Sequence, residues 1–436
     1  MKPALRWAVV LAVLAFAILA GSRVVGLLQA ERLARSDPQR ALRWHPGDPD
    51  ALWAMAEQRL ASGDHAGAAS AARTLLAKEP LQGRAFRLLA GIDAEAGHER
   101  RAHALYAIAA HRAPRDPLAI AGLVQGDLQH EDYAAALRWI DFYLRTSPDR
   151  AAASGRVLPR LVPLALDGRF ADAMVAALRG NPPWRAQMMG LLWGNSTAAE
   201  RVYGQLDREG ALRQDEFAGW IDGLIRAGDW DLAHTRWAAH APGAAQARAG
   251  LYNGDFSRDP SGIGFDWRLA PGMASDFQSV PRTTRRALGL RFFDQPVRGP
   301  LLQQRLHLAP GEYVLQLRMR ARGLRGDGAP VWQVLCAGKA GTIAAGDPLD
   351  GGFDWIGREL RFQVPKEGCP GQTLQLTSLV QSRNGQRMAG EIWIDDVRIE
   401  PGPPTASAPD GTVPIPSPAG QLQPASLDSA SRRTLK

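Results

Sequence analysis

The spacing of apolar residues along the chain changes once, near residue 245. Between residues 46 and about 242 apolar residues recur at helical spacing, whereas from Leu251 onwards short segments alternate apolar and polar residues. Recurrence every three or four residues predicts amphipathic helices, and strict alternation predicts half-buried strands. The pattern therefore predicts a multidomain α + β chain in which a helical half precedes an antiparallel β half.

The helical half repeats with a period of 34 residues, which four prolines mark at equal intervals. Each interval carries large apolar residues at equivalent positions of a first helix. It carries alanine at one position of a second helix, where a small side chain lets two antiparallel helices approach closely. Such a period predicts stacked helical hairpins. The prolines are Pro46, Pro80, Pro114 and Pro148, the apolar residues include Leu52, Phe86 and Ile120, and the alanines are Ala68, Ala102 and Ala136.

Residues 46–148 resemble three tetratricopeptide repeats. The alanine, aromatic residue and terminal proline of that family's pattern match at Ala102, Tyr106 and Pro114, whereas its first-helix tryptophan is replaced, in the first repeat by Leu52. The resemblance implies an α-solenoid of helical hairpins. Because the first-helix positions depart from the family pattern, it implies no particular peptide specificity.

The solenoid is expected to occupy residues 29–148 and to continue in a degenerate form over residues 149–245. Helix-turn-helix signals persist there around Gly168 and Gly228, although their spacing is no longer constant. Stacked hairpins present a concave face that binds extended partners. We therefore expect a protein partner on the concave face of the helical repeats, with a spacer as the alternative role.

Six alternating segments follow in the β half, and the Pro-Gly pairs at 310–311 and 370–371 predict turns beside two of them. This many short strands over residues 250–400 predict an antiparallel β-sandwich. The predicted strands are residues 303–308, 313–320, 331–336, 359–364, 373–380 and 391–399.

Three short segments of the β half carry a second resemblance. The region opens with Asn253-Gly254-Asp255-Phe256, contains Phe353-Asp354-Trp355, and closes with an apolar strand around Asp395 and Asp396. In these places it resembles the galactose-binding-like jelly-roll modules found among bacterial carbohydrate-binding modules. The resemblance implies that the first and last strands pair, which would bring Asp255 close to Asp395 and Asp396. Converging oxygens suit a structural calcium ion, with a solvated turn as the alternative, and no other cofactor is expected.

Sugar binding requires exposed aromatic rings, because the apolar face of a pyranose stacks on them. The tetrapeptide Gly-Phe-Asp-Trp occurs at 264–267 and at 352–355, so Trp267 and Trp355 both stand beside loop glycines. These two residues are the candidate glycan-binding side chains. Trp332 and Trp393 lie within alternating strands and are expected in the core.

A largely apolar stretch of 22 residues, 7–28, which only Ser22 and Arg23 interrupt, lies near the N-terminus and follows the basic residues Lys2 and Arg6. A helix of roughly 20 residues crosses the hydrocarbon core of a bilayer. Residues 1–28 are therefore interpreted as an uncleaved signal anchor. A cleaved signal peptide, with Ala15-Phe16-Ala17 as its processing site, and a buried core helix are the alternatives.

Two features disagree about the side of the membrane on which the bulk of the chain lies. Basic residues are more numerous just after the apolar stretch than before it, which favours a cytoplasmic bulk, although long folded domains translocate largely regardless of charge. Cys336 and Cys369, the two cysteines of the chain, suit a disulfide made in an oxidising compartment, with two unrelated thiols as the alternative. We predict a single-pass protein of the bacterial inner membrane with its bulk in the periplasm.

Charge and motifs exclude several classes of function. Segments 1–28, 29–249, 250–400 and 401–436 carry net charges of +3, +1, +3 and +1, so no segment has the concentrated basic charge of a nucleic-acid site. The sequence contains no G-x-S-x-G, P-loop or H-E-x-x-H motif and no dinucleotide-binding fingerprint. Residues 401–436 are rich in Pro, Ser and Ala and are expected to be disordered.

The sequence thus predicts a non-enzymatic, membrane-anchored envelope protein. Its helical repeats would dock a protein, and its sandwich would bind polysaccharide or serve as a structural module, in a setting such as surface polysaccharide assembly or export. The alternatives are a pure protein–protein scaffold whose β domain binds no sugar, and a carbohydrate-active enzyme. No nucleic-acid partner is expected.

Overall fold

The computed structural model describes residues 3–243, 250–271, 274–279, 286–297, 299–338, 341–378 and 386–402. The chain divides into two compact units, Met1–Arg236 and Trp237–Lys436. The tail that the sequence predicts to be disordered from residue 401 lies, from 403 onwards, outside the described residues.

The first unit is helical, as predicted. Aspartates at the N-cap positions begin many of its helices: the side chain of Asp48 accepts a hydrogen bond from the Ala51 amide, and that of Asp64 from the Gly67 amide. The helices of the described chain are α1 (Pro3–Leu33), α2 (Pro38–Trp44), α3 (Pro49–Ala61), α4 (His65–Lys78), α5 (Gly83–Glu95), α6 (Glu99–Arg112), α7 (Pro117–Gln129), α8 (Tyr133–Thr146), α9 (Arg150–Leu161), α10 (Gly168–Arg179), α11 (Arg185–Leu192), α12 (Ser196–Arg208), α13 (Gln214–Ala227) and α14 (Trp230–His240).

The 34-residue period is confirmed as three consecutive hairpins, α3–α4, α5–α6 and α7–α8. The recurrent alanines Ala68, Ala102 and Ala136 are buried. Each hairpin turns at an equivalent residue with left-handed backbone, namely Gly63, Gly97 and Glu131, with φ of 79°, 74° and 58°. One repeated turn geometry therefore sets the pairing of all three hairpins.

Small residues also set the spacing between hairpins. The ring of Tyr106 on α6 and the ring of His103 lie directly against Gly122 and Gly126 of α7, where a Cβ atom would collide with each ring. The second helix of one hairpin thus packs into a groove on the first helix of the next.

Beyond residue 148 the hairpins become irregular, as the drifting spacing predicts. A 3-10 turn, Pro163–Leu166, interrupts the connection from α9 to α10.

The buried side chains of Arg185 and Glu216 pair at 2.6 Å. Burial opposes ionisation of the Glu216 carboxyl, but bonds from Arg185 and Arg213 outweigh it and hold the pKa of Glu216 below its ordinary value.

Helix α1 extends five residues beyond the predicted anchor. Its segment Leu11–Leu33 has a mean hydropathy of 2.2, so by length and composition it could cross a membrane. Large apolar side chains on it, such as Phe16 and Ile18, are exposed. At its end, Ala34 packs with Ala41 of α2 and Ala51 of α3, so the helix joins the repeats without an intervening linker.

The second unit is a two-layer β-sandwich, and all six predicted strands are confirmed within the described residues. The strands are β1 (Arg268–Leu269), β2 (Ala274–Ser279), β3 (Arg286–Val297), β4 (Leu302–Leu306), β5 (Gly311–Gly326), β6 (Pro330–Cys336), β7 (Thr342–Ala345), β8 (Gly351–Val364), β9 (Gln372–Ser378) and β10 (Gln386–Pro401). A first sheet has the order β1-β4-β9-β6-β7 and a second sheet the order β2-β3-β10-β5-β8, and every pairing is antiparallel.

The pairing of the first and last strands differs from the prediction. Strand β1 belongs to the first sheet and β10 to the second. Asn253-Gly254-Asp255-Phe256 is not a strand, because Asn253 and Phe256 have φ of 52° and 49°, which breaks an extended backbone. The segment still lies beside β10, where the amide of Val397 donates to the carbonyl of Gly254 at 2.9 Å.

Cys336 and Cys369 form the predicted disulfide, with their Cα atoms 5.3 Å apart. The bond joins the end of β6 to the turn that precedes β9, both in the first sheet. It closes a loop of sequence separation 33, which on the chain-entropy model stabilises the fold by about 3–4 kcal/mol.

Trp267 lies in the centre of the sandwich, and the prediction that it stacks on sugar is wrong. Its side chain is 0% exposed, and its indole N–H donates to the carbonyl of Asn253 at 3.1 Å. The rings of Phe256 and Trp332 pack against it at centroid distances of 5.5 and 6.4 Å. Neither face of the indole is open to a ligand, because core residues surround the ring. Trp332 is in the core, as predicted.

We expect Trp267→Ala to lower the free energy of unfolding of the β-sandwich by about 3–5 kcal/mol, because it removes the central ring of the core. Urea denaturation followed by circular dichroism measures the change. Trp355→Ala is the matched control, and a loss on the order of 1 kcal/mol is expected there because that ring is only half-buried. Equal losses in the two variants would contradict this assignment of the core.

Candidate functional site

The outer face of the second sheet combines arginine and tryptophan side chains. Along β5, Leu315, Leu317, Met319 and Ala321 point into the core, so the alternate residues Arg318, Arg320 and Arg322 point outwards. Trp393 of β10 and Trp355 of β8 share this outer surface. We call Arg318, Arg320, Arg322, Trp355 and Trp393 the Arg–Trp face.

Strand register places the ring of Trp393 flat on the sheet. Trp393 pairs with Arg320 on one side and with Gly289 of β3 on the other. A Cβ atom at Gly289 would lie 3.0 Å from Nε1 of Trp393, so glycine leaves room for the indole. Trp393 is buried, as predicted, but outside the main core, in a small cluster with Ala287.

The guanidinium groups cover these rings. Cζ of Arg320 and of Arg322 lie 5.2 and 5.6 Å from the centroid of Trp393, and Cζ of Arg318 lies 5.6 Å from that of Trp355. These distances are within the range of cation–π attraction. Trp355 rests on Ala287 and Trp393 and remains half-buried, so part of its ring meets solvent.

Carboxylates balance the charge of this surface. Arg291 pairs with Asp276 at 2.7 Å and with Glu391 at 3.5 Å, and Nε of Arg320 lies 3.8 Å from Asp354. The fully buried Asp395 is opposite Arg318 in the strand register. The face therefore offers donors and acceptors side by side with little net charge, which suits a ligand rich in hydroxyl groups better than an ionic one.

The predicted calcium ligands do not fit a metal ion. Asp255 accepts from the amide of Ser257 at 3.2 Å, Asp396 pairs with Arg398 at 2.7 Å, and Asp395 is buried on the outer side of the sheet. Within the described residues, no group of three or more His, Cys, Asp or Glu side chains is placed to hold a metal. The segments meet, but Asp255 and Asp396 are directed to separate partners.

A second candidate surface lies on the first helices of the hairpins, and we call it the first-helix face. Trp53 of α3 is half-buried, with Cζ of Arg84 and of Arg87 on α5 at 4.9 and 5.9 Å from its ring centroid. Arg84 also pairs with Asp50 at 3.1 Å. Leu118 of α7, which is equivalent to Arg84 in the next repeat, is 61% exposed. This face thus combines a ring, cations and an unburied apolar side chain.

Sequence reasoning identified Trp355 but missed its arginine neighbours and Trp53. The sequence pattern indicated the position of both the arginines and Trp53. The alternation within residues 313–320 already puts Arg318 and Arg320 on the face opposite the apolar residues. The 34-residue period likewise places Trp53 and Arg87 at one repeat position.

Comparison with known proteins finds no matching family model and no matching curated protein. Among solved structures, pilF of Pseudomonas aeruginosa is 17% identical, with 51% of this chain and 99% of that chain covered and a TM-score of 0.27. A carbohydrate-binding module of the CBM4 type is 15% identical, with 35% and 99% covered and a TM-score of 0.26.

The carbohydrate-binding module TmCBM61, solved in complex with β-1,4-galactotriose, is 16% identical, with 35% of this chain and 95% of that chain covered and a TM-score of 0.23. Likenesses at this level carry no argument about ligands. By its own geometry, the chain consists of tetratricopeptide-type helical hairpins followed by a jelly-roll sandwich.

Proposed function

We propose that this chain is a non-enzymatic, membrane-anchored protein of the bacterial envelope with two binding units. The sandwich binds a glycan through the Arg–Trp face, and the helical repeats dock a protein partner. The observation that carries the proposal is the half-exposed ring of Trp355, which packs on Trp393 beside the guanidinium group of Arg318. A role in assembly or export of a surface polysaccharide would use both units together.

Glycan binding follows from the chemistry of this face. A pyranose presents C–H groups that stack on an indole, and its hydroxyl groups both donate and accept hydrogen bonds. Around Trp355, Arg318 and Arg320 supply N–H donors and Asp354 supplies an acceptor. Because the rings and guanidinium groups already contact one another, little side-chain freedom is lost when a ligand binds.

We expect Trp355→Ala to weaken retention in gels that contain neutral β-glucan, xylan or galactan by about tenfold, because the stacking surface is removed. Affinity electrophoresis of the full chain measures the change. Arg361→Gln, an exposed change further along β8, is the matched control and is expected to leave retention unchanged.

Retention that survives in Trp355→Ala would contradict the assignment of this face. If the unaltered protein is retained by no member of the panel, the scaffold alternative is favoured. Thermal melts accompany both variants, so that loss of folding is distinguished from loss of binding.

Protein docking is supported by the first-helix face. Trp53 and Leu118 leave apolar surface exposed or half-exposed beside cationic groups, a combination that is enriched at interfaces.

We expect a photo-crosslinking residue at position 118 to give a discrete adduct with one protein in cells, and the added substitution Arg84→Glu to abolish it. The same residue at position 73, on the exposed side of α4, is the control. Equal adducts from positions 73 and 118 would contradict a specific docking face.

Membrane anchoring is supported by the exposed apolar surface of α1, and the periplasmic side by the disulfide. We expect alkaline phosphatase fused after residue 240 to be active, because that enzyme folds only in an oxidising compartment. A fusion of green fluorescent protein at the same position is the control and is expected to be dark. An inactive phosphatase fusion together with a fluorescent protein fusion would place the bulk of the chain in the cytoplasm. The mass of the purified chain distinguishes an uncleaved anchor from a cleaved signal peptide.

A further inference from the structure

A trough lies between helices α8 and α10 of the helical unit, away from Trp53 and its neighbours. These two helices pack together, although α9 and the 3-10 turn lie between them in the chain. Between them is a cavity of about 320 Å³, close to the lower end of the range for ligand sites. Its floor is apolar and includes Leu137, Ala173 and Ala177. We call this cavity and its continuation the α8–α10 trough.

A hydrogen-bonded bridge divides the trough into two compartments. The indole N–H of Trp184 donates to one oxygen of Asp141 at 2.9 Å, and Nε of Arg145 donates to the other at 2.7 Å. Beyond this bridge lies a second cavity of about 200 Å³, lined by Arg145 and Trp184 together with Arg150 and Pro183. Because the bridge is fully hydrogen-bonded and Trp184 is buried, the two compartments are preformed.

The trough carries an excess of positive charge. Arg138 lines the first compartment and Arg150 the second, and neither forms an ion pair within the described part of the chain. Asp141 is the one acid among the described lining residues, and Arg145 and Trp184 already satisfy it. Two cations therefore flank an apolar floor, and no carboxylate among the described lining residues neutralises them.

We propose that the α8–α10 trough docks an acidic segment of a partner protein. Apolar side chains of that segment enter the two compartments on either side of the bridge, and its carboxylates pair with Arg138 and Arg150. From Ala134 to Arg145 the trough follows α8 for about 16 Å, the length of roughly five extended residues. Alternate residues of an extended strand point the same way, so side chains at i and i+2 reach both compartments.

Charge complementarity selects this occupant. Carboxylates form directional hydrogen bonds with guanidinium groups, and the apolar floor rewards burial of an aliphatic side chain between them. A basic or purely polar segment would leave either the cations or the floor without a complementary group. The trough shares no lining residue with the first-helix face, so it is tested independently of the docking surface in the proposed function.

The test is a selection of displayed random peptides of about 12 residues on the full chain in detergent, followed by affinity measurement with the selected synthetic peptides. We expect the selected peptides to carry two or more Asp or Glu residues around an aliphatic residue. Arg138→Glu together with Arg150→Glu is expected to weaken their binding by about tenfold or more. Arg73→Glu, an exposed arginine on α4, is the matched control and is expected to have no effect.

Ala176→Trp provides a variant that leaves every charge in place. Ala176 is exposed at the first compartment, so a large side chain fills that cavity from the solvent side without disturbing the core. We expect loss of peptide binding at an unchanged melting temperature. Selected peptides that lack acidic residues would overturn the proposal, as would binding that neither the arginine variants nor Ala176→Trp weakens.

Discussion

Burial of one face of each packed helix and strand decides which residues of the repeats and the sandwich meet solvent. The apolar face of β5 is fixed in the core by Leu315, Leu317 and Met319, and its alternate residues therefore stand on the surface. In the repeats, the second helix must bury its alanines against its own hairpin, which leaves the opposite side of α8 to form the trough. Each candidate surface is thus a consequence of how the core is packed.

Cation–π contacts give two of these surfaces a common construction. Arg320 and Arg322 lie over Trp393, and Arg84 and Arg87 lie over Trp53. A guanidinium group that stacks on an indole covers apolar surface while its N–H groups remain available to other partners. Large rings can therefore stand on the outside of a sheet or helix without being fully exposed, and they are already ordered when a ligand arrives.

The surfaces differ in how their charge is satisfied. On the Arg–Trp face Arg320 has Asp354 nearby, and Arg318 and Arg322 lie opposite Asp395 and Glu391 in the strand register, so the local charge is close to balanced. In the trough, Asp141 is held by Arg145 and Trp184, so Arg138 and Arg150 keep their charge for an external group. Neutral hydroxyl-rich ligands suit the first arrangement and acidic segments the second.

Sequence alone determined the features that depend on local periodicity. The 34-residue spacing predicts the hairpins, and alternation predicts the six strands, because both follow from which residues share a face within one element. It also indicated the pairing of Cys336 with Cys369, the two cysteines of the chain. The identical tetrapeptides at 264–267 and 352–355 show where such reasoning ends. Trp267 lies in the centre of the core, whereas Trp355 lies on the outer face. Strands and loops that are distant in sequence pack around each ring and decide which side of a sheet it contacts. A local sequence motif does not contain that information.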